Sequence, residues 1–149
     1  VQHVLASSSQ NLQHLKDARV FFEMGMVRLA AARATPEDIE RLNRCIDDMA
    51  GASDDFAAFM RHDMAFHRQI AAITGNPIFV AVSEALLGWL REYHVGELRK
   101  LGRERQTLEE HRQICDRIAA HDVDGAAAAM LAHQTRAADL YQRAEAKPR

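Results

Sequence analysis

Prolines indicate where helices begin in this chain, and they constrain its fold more than any other feature of the sequence. The sequence contains three prolines. Two of them follow a capping residue directly, in the pairs Thr35-Pro36 and Asn76-Pro77, while Pro148 lies next to the end. Threonine and asparagine are favoured N-caps, and proline is favoured in the first helical turn. The stretches between these points lack strand-like alternation, and their apolar residues recur at intervals of three and four. The sequence therefore predicts an all-α fold.

Caps, breakers and apolar spacing together predict six helices. We expect these helices at about 11–34, 36–51, 54–74, 77–100, 107–121 and 123–146. Residues 101–106 are predicted to be a loop, after which Thr107-Leu108-Glu109-Glu110 has the pattern of a capping box for the fifth helix. Residues 1–10 are predicted to be a linker or tail, and residues 11–146 one helical domain.

Size and charge describe one ordinary globular domain. A chain of 149 residues suffices for a single core. Nineteen basic and 21 acidic residues give a net charge of −2, which offers no electrostatic footprint for nucleic acid. The two cysteines, Cys45 and Cys115, have no metal-ribbon spacing and suit reduced thiols in the cytoplasm. No apolar run approaches the ~18 residues of a transmembrane helix, and no signal peptide is recognisable. Because the first residue is Val1 rather than Met, we expect a piece of a longer protein.

The third predicted helix carries two polar side chains on or beside its apolar face. Asp63 and His67 are four residues apart, so their side chains lie on one face of the helix, beside Phe66 and Ile70. A carboxylate and an imidazole that point into a core destabilise it unless each has a partner. A divalent metal is one partner that satisfies both.

Two further histidines interrupt apolar faces on later helices, His111 on the fifth and His133 on the sixth. For one such histidine alone, a hydrogen bond to a carbonyl is the more common explanation. Four polar residues on three core faces are harder to explain that way, because each unpaired group costs about 1–3 kcal/mol. Three imidazoles and one carboxylate suit zinc first, with nickel, manganese and iron as the other candidates. We therefore predict a metal site formed by Asp63, His67, His111 and His133.

Arg19 lies at the edge of the apolar face of the first helix. One interpretation is a salt bridge with Glu23, four residues further along. The other is an anion-binding role, in which its planar guanidinium binds the acid group of a ligand. We predict Arg19 as a ligand-binding residue and keep the salt bridge as the alternative.

The order of these motifs resembles the effector-binding (FCD) domain of the FadR branch of GntR-type bacterial transcription regulators. The motifs that carry the resemblance are, in chain order, Asp63-x-x-Phe66-His67, Thr74-Gly75-Asn76-Pro77, Glu110-His111-x-x-Ile114 and Met130-x-x-His133. The resemblance extends from about residue 17 to residue 141. It implies an antiparallel bundle of six to seven helices around a central cavity, in which one Asp and three His hold a metal, often zinc, and organic acids bind beside it. Those ligands fall on Asp63, His67, His111 and His133.

The resemblance also implies a function. The chain is expected to be the ligand-sensing domain of a homodimeric regulator and not an enzyme, with a carboxylated metabolite as its effector. Phe21-Phe22-Glu23 and Leu87-x-Trp89-Leu90 are most similar to a sialic-acid-responsive repressor of that family, so a sialic acid or another sugar acid is expected. DNA binding is expected only through an N-terminal winged-helix domain that this chain does not contain.

Two other functions remain open from the residues alone. One is a small metal-dependent hydrolase or lyase, which would also need a general base near the metal. The inward faces offer no carboxylate for that role beyond Asp63, apart from Glu23 at a helix edge. The other is a helical module in which the metal is purely structural.

Overall fold

The computed structural model describes the backbone of residues 9–98 and 103–146, and the side chains of residues 10–92 and 103–136. Within these ranges the fold consists of six helices and no strand. They are α1 Ser9–Arg33, α2 Pro36–Gly51, α3 Phe56–Ile73, α4 Pro77–Leu98, α5 Glu104–Ala119 and α6 Val123–Ala146. The predicted all-α class is confirmed. The predicted linker at 1–10 lies mostly outside the described residues, and α1 begins at Ser9.

Side-chain caps start three of the helices. Thr35 and Asp38 form a capping box at α2, in which the Asp38 amide donates to Thr35 Oγ1 at 3.2 Å and the Thr35 amide donates to Asp38 Oδ2 at 3.0 Å. Asp55 Oδ1 accepts from the Ala58 amide at 3.1 Å at the start of α3. Asn76 Oδ1 accepts from the Ile78 amide at 3.0 Å at the start of α4. These bonds satisfy amides that have no partner inside the helix.

The predicted start of α5 is wrong. This helix begins at Glu104, inside the predicted loop, and Arg103 at its N-cap makes no side-chain capping bond. Thr107 is therefore inside the helix, where its hydroxyl accepts from Arg136 Nη2 at 3.1 Å. Glu110 also turns towards Arg136. The two residues of the expected capping box instead bind a side chain of α6, because that partner lies within reach in the folded chain.

Helix α1 lies at the centre of the bundle and contacts α3, α4, α5 and α6. Its buried face belongs to two hydrophobic clusters. The main core contains Met26 and Val27 of α1 together with apolar residues of every other helix except α4, from which Phe79 and Val80 pack against it. The second cluster joins Leu12 and Leu15 of α1 to Leu86 and Leu90 of α4. The stretch of α1 between the two clusters carries Arg19 and Glu23.

Few large apolar side chains are exposed on the described part of the bundle. Among the described residues, the large apolar side chains that remain exposed are those of Phe21, Ile78 and Leu131. None of the helices in the described part of the chain combines the length and the apolar character needed to cross a bilayer.

Candidate metal centre

Three histidines from three helices meet inside the bundle. His67 of α3, His111 of α5 and His133 of α6 each offer a ring nitrogen, and these three atoms lie within 4.8 Å of one another. The side chains of His67 and His111 are fully buried, and that of His133 is 4% exposed. Each helix buries its histidine because neighbouring residues on the same face, such as Ile70, Ile114 and Met130, belong to the main core.

Asp63 completes the predicted set. Its Oδ1 lies 3.2 Å from His111 Nε2 and 3.5 Å from His67 Nε2. It projects from α3 one turn before His67, and its side chain is 15% exposed. The structure therefore brings the three selected histidines together and places Asp63 against two of them.

The outer nitrogen of each ring faces a different neighbour. Nδ1 of His133 donates to Glu110 Oε1 at 2.6 Å, and Nδ1 of His111 lies 3.3 Å from the sulfur of Met49. Nδ1 of His67 lies 3.1 Å from Glu23 Oε1, at an ion-pair distance but without the angles of a hydrogen bond. On the other side of their rings, Nε2 of His67 and Nε2 of His111 both face Asp63 Oδ1. A metal ligand is typically held in this way by a partner on its other ring nitrogen.

The charges within the cluster depend on burial and on the two carboxylates. Burial by itself lowers the pKa of His67, but the nearby Glu23 and Asp63 carboxylates outweigh it and raise that pKa to about 9. Burial favours neutral Asp63, yet the adjacent imidazole of His67 and the charge of His111 lower the pKa of that carboxyl. Burial lowers the pKa of His111 well below its usual value and also lowers the pKa of His133. Positive charge is therefore favoured on His67, between Glu23 and Asp63, and disfavoured on His111 and His133.

This donor set fits a divalent first-row metal. His67 Nε2, His111 Nε2 and Asp63 Oδ1 are buried and have no hydrogen-bond partner in the protein. Unpartnered buried polar atoms are rare in native proteins, because each costs about 1–3 kcal/mol. Neutral imidazoles with one carboxylate are the ligands that zinc and its neighbours prefer, and a cation also meets the negative charge of the two acids.

An ion pair behind His133 was not predicted from the sequence. Glu110 precedes His111 on α5, and its carboxylate accepts from Arg136 Nε at 2.7 and 2.6 Å. Arg136 lies one turn after His133 on α6. Each of the two helices therefore carries one histidine of the cluster and one member of the ion pair. The sequence contained a signal for this, since Glu110 adjoins His111 and Arg136 follows His133 by one turn, each at the edge of a buried face.

Arg19 is buried in the same region, with a side chain that is 7% exposed. Its charge helps to lower the pKa of Glu23 and of Asp63, after the larger effects of burial and of His67. No ion pair between Arg19 and Glu23 occurs among the described side chains, and Glu23 faces His67 instead. Arg19 Nε has no hydrogen-bond partner in the protein. The salt bridge considered as the alternative from the sequence is therefore not formed, and the ligand-binding role of Arg19 stays a prediction.

Comparison with known proteins identifies a family and a fold. The family model of the FCD domain matches residues 14–136. The HTH-type transcriptional repressor NanR of Cronobacter sakazakii is 38% identical over 124 residues, which cover 82% of this chain and 48% of that protein. NanR of Escherichia coli K12 is also 38% identical, over 82% of this chain and 47% of its own length. The chain thus spans about half the length of these relatives.

Two solved structures share the fold at low sequence identity. Escherichia coli McbR/YncC superposes with a TM-score of 0.80 at 20% identity, covering 91% of this chain and 70% of that one. Streptococcus agalactiae GntR superposes with a TM-score of 0.75, also at 20% identity, covering 87% of this chain and 60% of that one. At this identity the similarity shows that the helical architecture is shared.

Proposed function

Because this chain belongs to the FCD domain family of GntR-type transcription regulators, we propose that it senses a carboxylated metabolite at a metal site and thereby controls a DNA-binding domain. The coarser role, a ligand-sensing domain of such a regulator, follows from the family. The family and its relatives are transcription regulators and not enzymes, so the hydrolase or lyase alternative is set aside.

In this proposal Asp63, His67, His111 and His133 bind one divalent metal, with zinc first. The convergence of unpartnered Nε2 atoms and Asp63 Oδ1 carries the proposal, because a cation satisfies all of them at once. A bound metal with an incompletely filled ligand shell supplies a Lewis-acid site for an anionic oxygen.

The effector in this proposal is a carboxylic acid, with a sialic acid first and other sugar acids next. Arg19 is the residue of this chain that binds its acid group. The guanidinium is buried, carries a fixed positive charge and has an unused N–H. Arginine binds a carboxylate through parallel hydrogen bonds, and burial strengthens them.

In this proposal, effector binding changes the affinity for DNA by shifting the population between two states of the whole regulator. An effector that binds one state more tightly shifts the equilibrium towards that state. The proposed DNA-binding part is a winged-helix domain N-terminal to this chain, and the proposed assembly is a homodimer.

A titration of carboxylic acids into metal-loaded and metal-free protein tests this function. Elemental analysis should give one metal per chain, and calorimetry should show binding of an acid that disappears after chelation and weakens in Arg19→Ala. Arg28→Ala is the matched control, because Arg28 lies on the same helix in an exposed ion pair with Asp124. An affinity that chelation does not change contradicts the metal-anchored mode.

A purely structural metal is the second candidate, and the complete burial of His67 and His111 favours it. Under that function, chelation lowers stability, but no acid binds to either form. The same titration therefore separates the two functions.

A further inference from the structure

Apart from the atoms that a metal would bind, five buried polar atoms among the described side chains have no hydrogen-bond partner. Of these, His67 Nδ1 lies 3.1 Å from Glu23 Oε1 and Arg136 Nη1 belongs to the ion pair with Glu110, which leaves three atoms to explain. These are Arg19 Nε and Glu23 Oε2 of α1 and Ser83 Oγ of α4, none of which has a hydrogen-bond partner in the protein. The exposed fractions of these three residues are 7%, 1% and 1%. Buried polar groups are almost always paired, so each of these atoms needs an explanation.

Ser83 is unusual even among helical serines. A serine inside a helix commonly satisfies its hydroxyl by donating to the carbonyl one turn back. The Ser83 hydroxyl makes no such bond, although it is buried. Its donor and its acceptor are therefore both available to something outside its own helix.

The register of the two helices places Ser83 opposite Arg19 and Glu23. Along α1, Leu15 belongs to the second cluster and Met26 to the main core, and the two polar residues lie between them. Along α4 the order is reversed, since Phe79 packs against the main core and Leu86 belongs to the second cluster.

Ser83 lies between Phe79 and Leu86 on the same face of α4, four residues after the first and three before the second. Phe22 of α1 packs against both clusters, and α1 contacts α4 directly. By this register the three polar residues form one layer of the α1–α4 packing, at a level between the two clusters.

This layer adjoins the histidine cluster through Glu23. One oxygen of Glu23 lies 3.1 Å from His67 Nδ1, and the other has no protein partner. The layer thus presents a cationic donor, an anionic acceptor and a hydroxyl on the α1–α4 side of the metal centre.

We infer that Glu23 and Ser83 form a hydroxyl-binding subsite beside the metal centre: a hydroxyl of the proposed acid donates to Glu23 Oε2 while its carboxylate binds Arg19. This inference rests on the proposed function and adds the residues that read the uncharged part of the ligand. Glu23 only accepts at neutral pH, which requires a donor on the ligand. Ser83 both donates and accepts, and so suits a second hydroxyl.

The three-carbon acids propionate, lactate and glycerate test the subsite, because they carry the same carboxylate with no, one and two hydroxyls. Each is titrated by calorimetry into metal-saturated protein from which excess metal has been removed. Metal content is measured again afterwards, because hydroxy acids also bind metals in solution. We expect affinity to rise by about five- to tenfold for each added hydroxyl, as hydrogen bonds to buried and charged partners typically provide.

Two variants assign the effect to residues. In Ser83→Ala, the increase in binding affinity from lactate to glycerate should be lost. The melting temperature of this variant without ligand should stay the same or rise, because an unsatisfied buried hydroxyl is removed. In Glu23→Gln, which keeps the side-chain volume, the increase in binding affinity from propionate to lactate should become smaller. Ser53→Ala, at an exposed serine before α3, is the matched control, and its affinity should still rise from propionate to lactate to glycerate.

The outcomes separate this inference from the proposed function. Equal affinities for the three acids, with binding that still requires metal and Arg19, overturn the subsite and leave the proposed function standing. A graded series that persists in both variants also overturns it, because the hydroxyls are then read elsewhere. If neither these acids nor gluconate nor a sialic acid binds metal-loaded protein, both the proposed function and the subsite are wrong.

Discussion

Glu110 of α5 accepts a hydrogen bond of 2.6 Å from Nδ1 of His133 on α6. A carboxylate can only accept, so this contact places the proton on Nδ1 and leaves Nε2 as a free ligand atom. Arg136 holds the same carboxylate at 2.6 and 2.7 Å, so Glu110 cannot easily turn away. The orientation of His133 is thus determined by side chains of both helices.

Glu110→Gln should weaken metal binding without unfolding the domain. The amide keeps the shape of the carboxylate but loses its charge, so His133 becomes a weaker ligand and Arg136 loses its ion pair. We expect the metal affinity to fall about 10- to 100-fold, the usual effect of removing such a partner. Competition with a chromophoric chelator measures the affinity. Glu109→Gln, at an exposed neighbouring position, should leave it unchanged, and equal affinities of the two variants would contradict the role of Glu110.

Metal removal should lower thermal stability, and alanine at any of Asp63, His67, His111 or His133 should reduce that effect. A ligand that binds only the native state stabilises it by mass action, by about 2.7 kcal/mol at a concentration 100 times its dissociation constant. Melting temperatures with and without chelator measure the difference for each variant. His14→Ala, at an exposed histidine of α1, serves as control. Full metal content in all four alanine variants would show that the ligand assignment is wrong.

This chain alone should not bind DNA with sequence specificity. Its net charge is −2, and electrostatic attraction of phosphates by lysine and arginine supplies most of the affinity of DNA-binding proteins. A gel-shift or fluorescence titration with residues 1–149 at low salt tests this against the promoter region of the regulator. A shift that depends on sequence would contradict the prediction.

The two thiols should react slowly in the native protein, Cys115 more slowly than Cys45. Burial raises the pKa of Cys115 to about 11 and also raises the pKa of Cys45. Since only the thiolate attacks, a raised pKa lowers the reactive fraction at pH 8 and moves the rise in rate to higher pH. Cys115 is also 1% exposed, whereas Cys45 is partly accessible. Rates with a disulfide reagent, measured separately in Cys45→Ser and Cys115→Ser and compared with the unfolded chain, test the order.

The helix starts show how far local sequence decides structure. Thr35 is the N-cap of α2, as predicted, and the structure adds a capping box with Asp38. Thr107 and Glu110 have the same spacing, yet they bind Arg136. The spacing of the two residues is the same in both places. Only the second pair has a partner on another helix, Arg136, within reach.

Arg19 and Glu23 show the same limit within the site. Their spacing on α1 suits a salt bridge, but Glu23 faces His67 of α3 and Arg19 keeps an unused N–H. Ser83 gave no signal in the sequence, since a serine in a helix is ordinarily satisfied by its own backbone. Its importance follows only from its burial without a partner.

The sequence by itself determined the six helices, apart from the start of α5, and the family resemblance, which is confirmed. It also determined the inward direction of Asp63, His67, His111 and His133, because helical periodicity fixes the face on which each side chain lies. Tertiary structure decided which groups those side chains meet. The neighbours Glu23, Met49 and Glu110 come from three different helices, and their distance from each histidine depends on how the helices pack. Periodicity gives direction along one helix, whereas contact requires the positions of two.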